Sequence, residues 1–208
     1  EKPTGEIYAT AGAGTSGASF GFGVKENNFL GNGIKLDSNA LISSSQFKGK
    51  LSVTNPNYKN SDKTLYGSIE AIETDNYNTF GYKTNKTGFS VGTNFEYLND
   101  FFLGLNSSNF YETIETNSTA SAQQQSQEGN YWDSFIKFDI NYDKRNQKFQ
   151  TSSGFRSFYS LNLPVISDTN TVKNYYNYSK YFRFYEKNFS SISIYLQSCF
   201  NMLECQYL

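Results

Sequence analysis

The chain has 208 residues, 18 lysines and arginines against 19 aspartates and glutamates, no histidine, and 18% aromatic residues. A near-neutral balance with no basic stripe argues against nucleic acid as a partner, and a mean hydropathy of -0.60 with no run of about 20 apolar residues excludes transmembrane helices. The missing histidine removes the usual general base and nitrogen metal ligand, so no enzyme, metal centre or cofactor site is expected.

Taken in order, period-two alternation marks strands over 5–13, 18–26, 33–44, 46–55, 64–73, 87–97, 100–113, 131–142, 154–163, 172–184 and 190–198. The clearest is YWDSFIKFDINY at 131–142. Trp132, Ile136, Phe138, Ile140 and Tyr142 point one way and Asp133, Lys137, Asp139 and Asn141 the other, with Ser134 and Phe135 as exceptions. Phe20, Phe22 and Val24 alternate in the same way with Ser19, Gly21, Gly23 and Lys25, and Phe89, Val91, Phe95 and Tyr97 with Gly88, Ser90, Gly92 and Asn94. No segment keeps apolar positions at helical spacing over ten residues. The three prolines, Pro3, Pro56 and Pro164, fall at strand edges or turns. The polar run 116–130 predicts a long, mobile, water-facing loop, and 74–86 and 143–153 predict two further long connections.

Gly12, Gly14 and Gly17 spell G-x-G-x-x-G after a strand. Residues 18–26 then alternate as a second strand and offer no helix N-terminus for a pyrophosphate, so these glycines serve a tight hairpin. The carboxylates Glu70, Glu73, Asp133 and Asp139 are scattered along strands rather than paired for catalysis. Asn-x-Ser/Thr triplets at Asn85, Asn106 and Asn117 are no more than such a composition produces by chance.

Strands of about ten residues, apolar on one face and polar on the other, fit a membrane-spanning antiparallel β-barrel. A soluble β-sandwich alternates too. Two details favour lipid. The polar face is rich in Gly, Ser, Asn and Thr rather than dense charge, and Tyr97, Trp132, Tyr142 and Phe155 stand near strand ends, where a membrane interface holds aromatic rings. Phe20, Phe22, Phe89, Ile136 and Phe138 are the expected lipid-facing side chains. Cys199, Cys205 and Met202 all lie in the last ten residues, so 1–198 is expected to be the barrel portion and 199–208 an atypical tail. The absence of an initiator Met or apolar leader at Glu1 predicts an excised targeting segment or an excerpt of a longer protein.

Three segments, ENNFLGNG (26–33), LSVTNPNY (51–58) and YDKRNQKFQTSSG (142–154), resemble in order and spacing the membrane domain of the BamA family of outer-membrane assembly factors, in the bacterial surface antigen superfamily. They resemble, respectively, its aromatic-Leu-Gly-x-Gly turn after the second strand, the Ser-Val-Thr-Asn-Pro ending of the fourth, and the Tyr-Asp-x-Arg turn before a Pro-Thr-x-Gly element. The third departs from the pattern: Asn146 stands where an acidic residue is common and Gln150 replaces the proline. The resemblance implies the first ten or eleven strands of a sixteen-stranded barrel in a Gram-negative outer membrane. It also implies unfolded outer-membrane protein clients, a lipid bilayer and assembly-machinery lipoproteins as partners. The first strand, with Ile7, Tyr8, Ala9, Thr10, Ala11 and Gly12, would be the edge on which client strands pair. A two-partner secretion transporter, a passive porin-like channel and a soluble surface-binding sandwich are the competing functions.

Overall fold

The computed structural model describes residues 5–14, 17–167, 171–185 and 188–201. All eleven expected strands are present: β1 (Gly5–Gly14), β2 (Gly17–Phe29), β3 (Ile34–Ser43), β4 (Gln46–Asn55), β5 (Lys63–Asn76), β6 (Tyr82–Leu98), β7 (Phe101–Thr116), β8 (Gly129–Asp143), β9 (Gly154–Ile166), β10 (Thr171–Tyr185) and β11 (Asn188–Asn201). They form one antiparallel sheet in the order β1 to β11, so each strand pairs with its sequence neighbours, and β1 and β11 are its two edges. Turns therefore alternate between two ends of the sheet. The end holding Gly5 also carries connections 30–33, 56–62, 99–100 and 144–153; the end holding Gly14 carries 44–45, 77–81 and 117–128.

Among the described residues, no second layer covers either face. Ala120 is the one buried hydrophobic residue among those described, while Phe20, Phe22, Ile69, Val91 and Phe89 are about half exposed or more. A soluble sandwich of this size would enclose its large side chains between two sheets, and among the described residues none is fully buried. The register explains how the alternation becomes a surface. Phe22 pairs with Ala40, Leu51 with Ile69, Ile69 with Phe89, Leu105 with Phe138 and Phe138 with Leu161, so apolar residues of successive strands share one face.

On the opposite, polar face, lysines meet carboxylates of the same or the neighbouring strand: Lys25 and Asp37 at 3.9 Å, Lys50 and Glu70 at 3.8 Å, Lys86 and Glu112 at 3.2 Å, Lys137 and Asp139 at 3.0 Å. Glycines on this face admit aromatic rings from adjacent strands. A Cβ at Gly23 would run into the Tyr8 ring, one at Gly92 into that of Tyr66, and one at Gly88 into that of Phe110. Each ring thus lies where a side chain would otherwise stand.

Two expectations require correction. The connection predicted at 74–86 shrinks to 77–81, because β5 runs on to Asn76 and β6 begins at Tyr82. Polar residues occupy both faces there, so alternation carries no signal, and Lys83 instead bridges Glu73 at 2.7 Å and Asp75 at 3.7 Å. The 116–130 run is not a loose loop. β7 reaches Thr116, β8 starts at Gly129, and between them a four-residue helix, Ala122–Gln125, is capped by the reciprocal Ser121 and Gln124 hydrogen bonds. Asn117 ties this segment to connection 77–81, its N–H donating to the Gly81 carbonyl (2.8 Å) and its Nδ2 to that of Tyr77 (3.0 Å). At the other end of the chain, Cys199, Phe200 and Asn201 pair in the ladder opposite Lys173, Val172 and Thr171. The remainder of the expected tail, 202–208, lies outside the described residues.

Candidate functional site: the β1 edge and the apolar belt

β1 and β2 are joined by a hairpin whose ladder closes on Gly14 and Gly17, with Gly17 at φ 98°. With two residues between them, that pair is a hydrogen-bonded rung, and rungs alternate along an antiparallel ladder. Counting back, Gly12, Thr10 and Tyr8 exchange hydrogen bonds with Ser19, Gly21 and Gly23, while Ala13, Ala11, Ala9 and Ile7 turn their N–H and C=O groups to the free side. The six expected edge residues therefore divide. Tyr8, Thr10 and Gly12 bind β1 to the sheet; Ile7, Ala9 and Ala11 hold the open hydrogen-bonding groups. The two-residue hairpin was the signal for this division in the sequence.

Side chains reinforce the division. Tyr8 lies across Gly23, and the Lys25 ammonium stands 5.6 Å from the Tyr8 ring centroid. On the apolar face, beyond Ile7, 86% exposed, β1 offers only Gly5 and alanines. The opposite edge contrasts with it, since Ile192, Ile194 and Leu196 of β11 are large and exposed.

The apolar face carries a belt with two aromatic borders. Tyr111 and Trp132 meet at 6.2 Å near the Gly14 end; near the Gly5 end Phe101 contacts Tyr142 at 6.0 Å, Tyr142 contacts Phe155 at 5.4 Å, and Phe155 contacts Tyr178 at 5.9 Å. The borders stand ten residues apart on both β7 and β8. At a rise of about 3.3 Å per residue and a strand tilt of about 40°, that spacing gives a band about 25 Å tall, the height of a barrel's apolar zone. Phe20, Phe22, Phe89, Ile136 and Phe138 all lie on this face; Ile136 is half-buried and the others are exposed. Polar groups within the belt are matched locally, as where the Ser134 hydroxyl donates to Asn109 Oδ1 at 2.6 Å.

The 144–153 turn is built from its own side chains. Arg145 Nε and Nη2 donate to the two oxygens of Asp143 at 2.7 and 2.6 Å, and the guanidinium carbon stands 6.0 Å from the Tyr181 ring centroid. Asn146 Oδ1 accepts the N–H groups of Ser152 and Ser153 at 3.1 Å each, and Gln147 Nε2 donates to the Gln150 carbonyl at 2.6 Å. The turn is thus closed with asparagine at 146 and without proline at 150.

Arg145 holds the Asp143 carboxyl below the ordinary carboxylate range, its hydrogen bond outweighing the burial that pushes the other way. A carboxyl depressed on folding stabilises the fold above its unfolded value, about 3.9, and loses that contribution as pH falls toward the folded one. Arg145→Ala is expected to cost about 2 kcal/mol. The gap from the parent chain, read by urea titration in lipid vesicles, should stay constant from pH 8 to pH 5 and narrow below about pH 4.

The open antiparallel sheet, the belt and the one-sided first strand together define a portion of an antiparallel β-barrel of the membrane-spanning kind. A model of the Omp85 superfamily domain matches residues 28–202, and the chain belongs to that superfamily. Its fold is similar to that of BamA from Haemophilus ducreyi lacking POTRA domains 1–3, with a TM-score of 0.71 and 20% sequence identity over 96% of this chain. The chain spans 42% of the length of that BamA chain.

Proposed function

We propose that this chain is the leading part of the barrel in an outer-membrane machinery that folds and inserts β-barrel proteins, with β1 as the edge on which client strands pair. The observation that carries the proposal is the one-sided hydrogen bonding of β1. In a bilayer no water reaches an open N–H or C=O, and each unsatisfied group costs several kcal/mol, so the edge has a strong drive to take up a strand. Cross-strand side-chain pairs add roughly 0.2–1 kcal/mol each relative to Ala–Ala. Opposite Ala9, Ala11 and Ala13 that increment is missing, so a partner is held mainly by its backbone and is released more readily than one paired along β11. This favours transient templating over a permanent seam.

In this arrangement the Gly5 end faces the periplasm, the polar face lines the lumen, and the belt contacts the bilayer. Unfolded outer-membrane proteins are the clients, and assembly-machinery lipoproteins are the expected accessory partners. The reading is tested by Ala9→Cys in the full-length protein with a client carrying single cysteines along its strands. Disulfides that form in register with one client strand during assembly support it. Crosslinks that form no more often than from Thr54 changed to Cys on the polar face of β4 count against it.

A further inference from the structure

The two borders of the belt differ in charge. Outside the border at the Gly14 end the apolar face carries Glu73, Asp75 and Glu115, with Lys83 bridging the first two at 2.7 and 3.7 Å. Outside the border at the Gly5 end stand two lysines on either side of one ring. The Lys144 N–H donates to the Phe155 carbonyl at 2.9 Å, and Lys180 is the ladder partner of Phe155 on the other side. Lys144, Phe155 and Lys180 therefore form one row across β8, β9 and β10, a step beyond the border pair Tyr142 and Tyr178. The Lys144 ammonium stands 5.8 Å from the Tyr142 ring centroid and also meets Asp100 Oδ2 at 2.8 Å. Lys180 is exposed and has no carboxylate partner among the described residues.

We propose that Lys144 and Lys180, on either side of Phe155, form a binding site for the phosphate of an anionic phospholipid in the leaflet at the Gly5 end. This rests on the membrane reading given above. Neighbouring strands lie about 4.8 Å apart, so the backbones of Lys144 and Lys180, two strands apart, stand about 10 Å from each other; their long side chains bring both ammonium groups within reach of one headgroup, while the acyl chains descend over the Tyr142 and Phe155 rings. A cation at this level attracts an anionic headgroup, and the carboxylates at the other border repel one. One leaflet is thereby distinguished from the other by the chain's own side chains.

The test places the chain in phosphatidylcholine vesicles containing spin-labelled phosphatidylglycerol or spin-labelled phosphatidylcholine and measures the motionally restricted lipid by electron paramagnetic resonance. At low salt phosphatidylglycerol should be preferred about fivefold. The preference should fall to near unity in the K144Q/K180Q variant and in salt raised to about 0.5 M, where screening is much stronger, and remain in K148Q, whose lysine lies in the turn. An equal preference for the two lipids in the parent chain, or a preference that survives K144Q/K180Q, overturns the site while leaving the membrane reading intact. Absence of any restricted lipid of either kind overturns both.

Discussion

Proline at Ala9 or Ala11 is expected to leave β1 paired with β2 and to stop the assembly of client barrels. Both residues point their N–H to the free side, so the substitution removes no rung of the β1–β2 ladder and is of the kind tolerated on an edge strand. It does delete a donor that an incoming strand would use, and in lipid each unmet group costs several kcal/mol. At about 1.4 kcal/mol per factor of ten, strand addition should slow by far more than tenfold. Thr10→Pro is the control, because Thr10 bonds Gly21 and its loss should lower the folded amount of the protein itself. Porin assembly in cells carrying the full-length variants, followed with the level of folded protein, separates the two. Normal porin levels in Ala9→Pro cells, or identical behaviour of Ala9→Pro and Thr10→Pro, would contradict templating by this edge.

Phe138→Arg should prevent stable insertion. Phe138 stands between the border residues Trp132 and Tyr142 on the exposed apolar face, close to the middle of the belt. An arginine at mid-depth of a barrel's lipid face costs about 2–4 kcal/mol. Gln197→Arg is the matched control on the other face, in the row that runs from Asp139 through Ser160 and Tyr175, and is expected to cost less than about 1 kcal/mol because that row meets water. Urea titration of insertion into vesicles reads both. A tolerated arginine at 138 with a disruptive one at 197 would reverse the two faces.

Strand number and order were legible because alternation survives wherever one face is apolar, as along Trp132 to Tyr142. It faded where both faces turn polar. Thr74, Asp75 and Asn76 belong to β5, and Tyr82 to Lys86 belong to β6, yet nothing in their hydropathy separates them from a loop. The 116–130 segment looked featureless for a different reason. Its order comes from Asn117 reaching across to Gly81, whose φ of 77° and open Cα leave room for Ala120, and such a contact between distant turns has no local signature. At the edge, composition singled out β1 as a small-residue strand, but the separation of Ile7, Ala9 and Ala11 from Tyr8, Thr10 and Gly12 required the parity of the hairpin. The Lys144 and Lys180 pair was invisible, since the two side chains flank one ring from positions far apart in the chain.

Because every strand hydrogen-bonds only to the ones before and after it, the sheet has no crossover that fixes its size. Copying or deleting one up-and-down hairpin changes the circumference without rerouting any other connection, and both termini of the inserted unit return to the same rim. Barrels of different calibre can thus descend from a common ancestor through duplication of such a unit, with the leading strand left untouched.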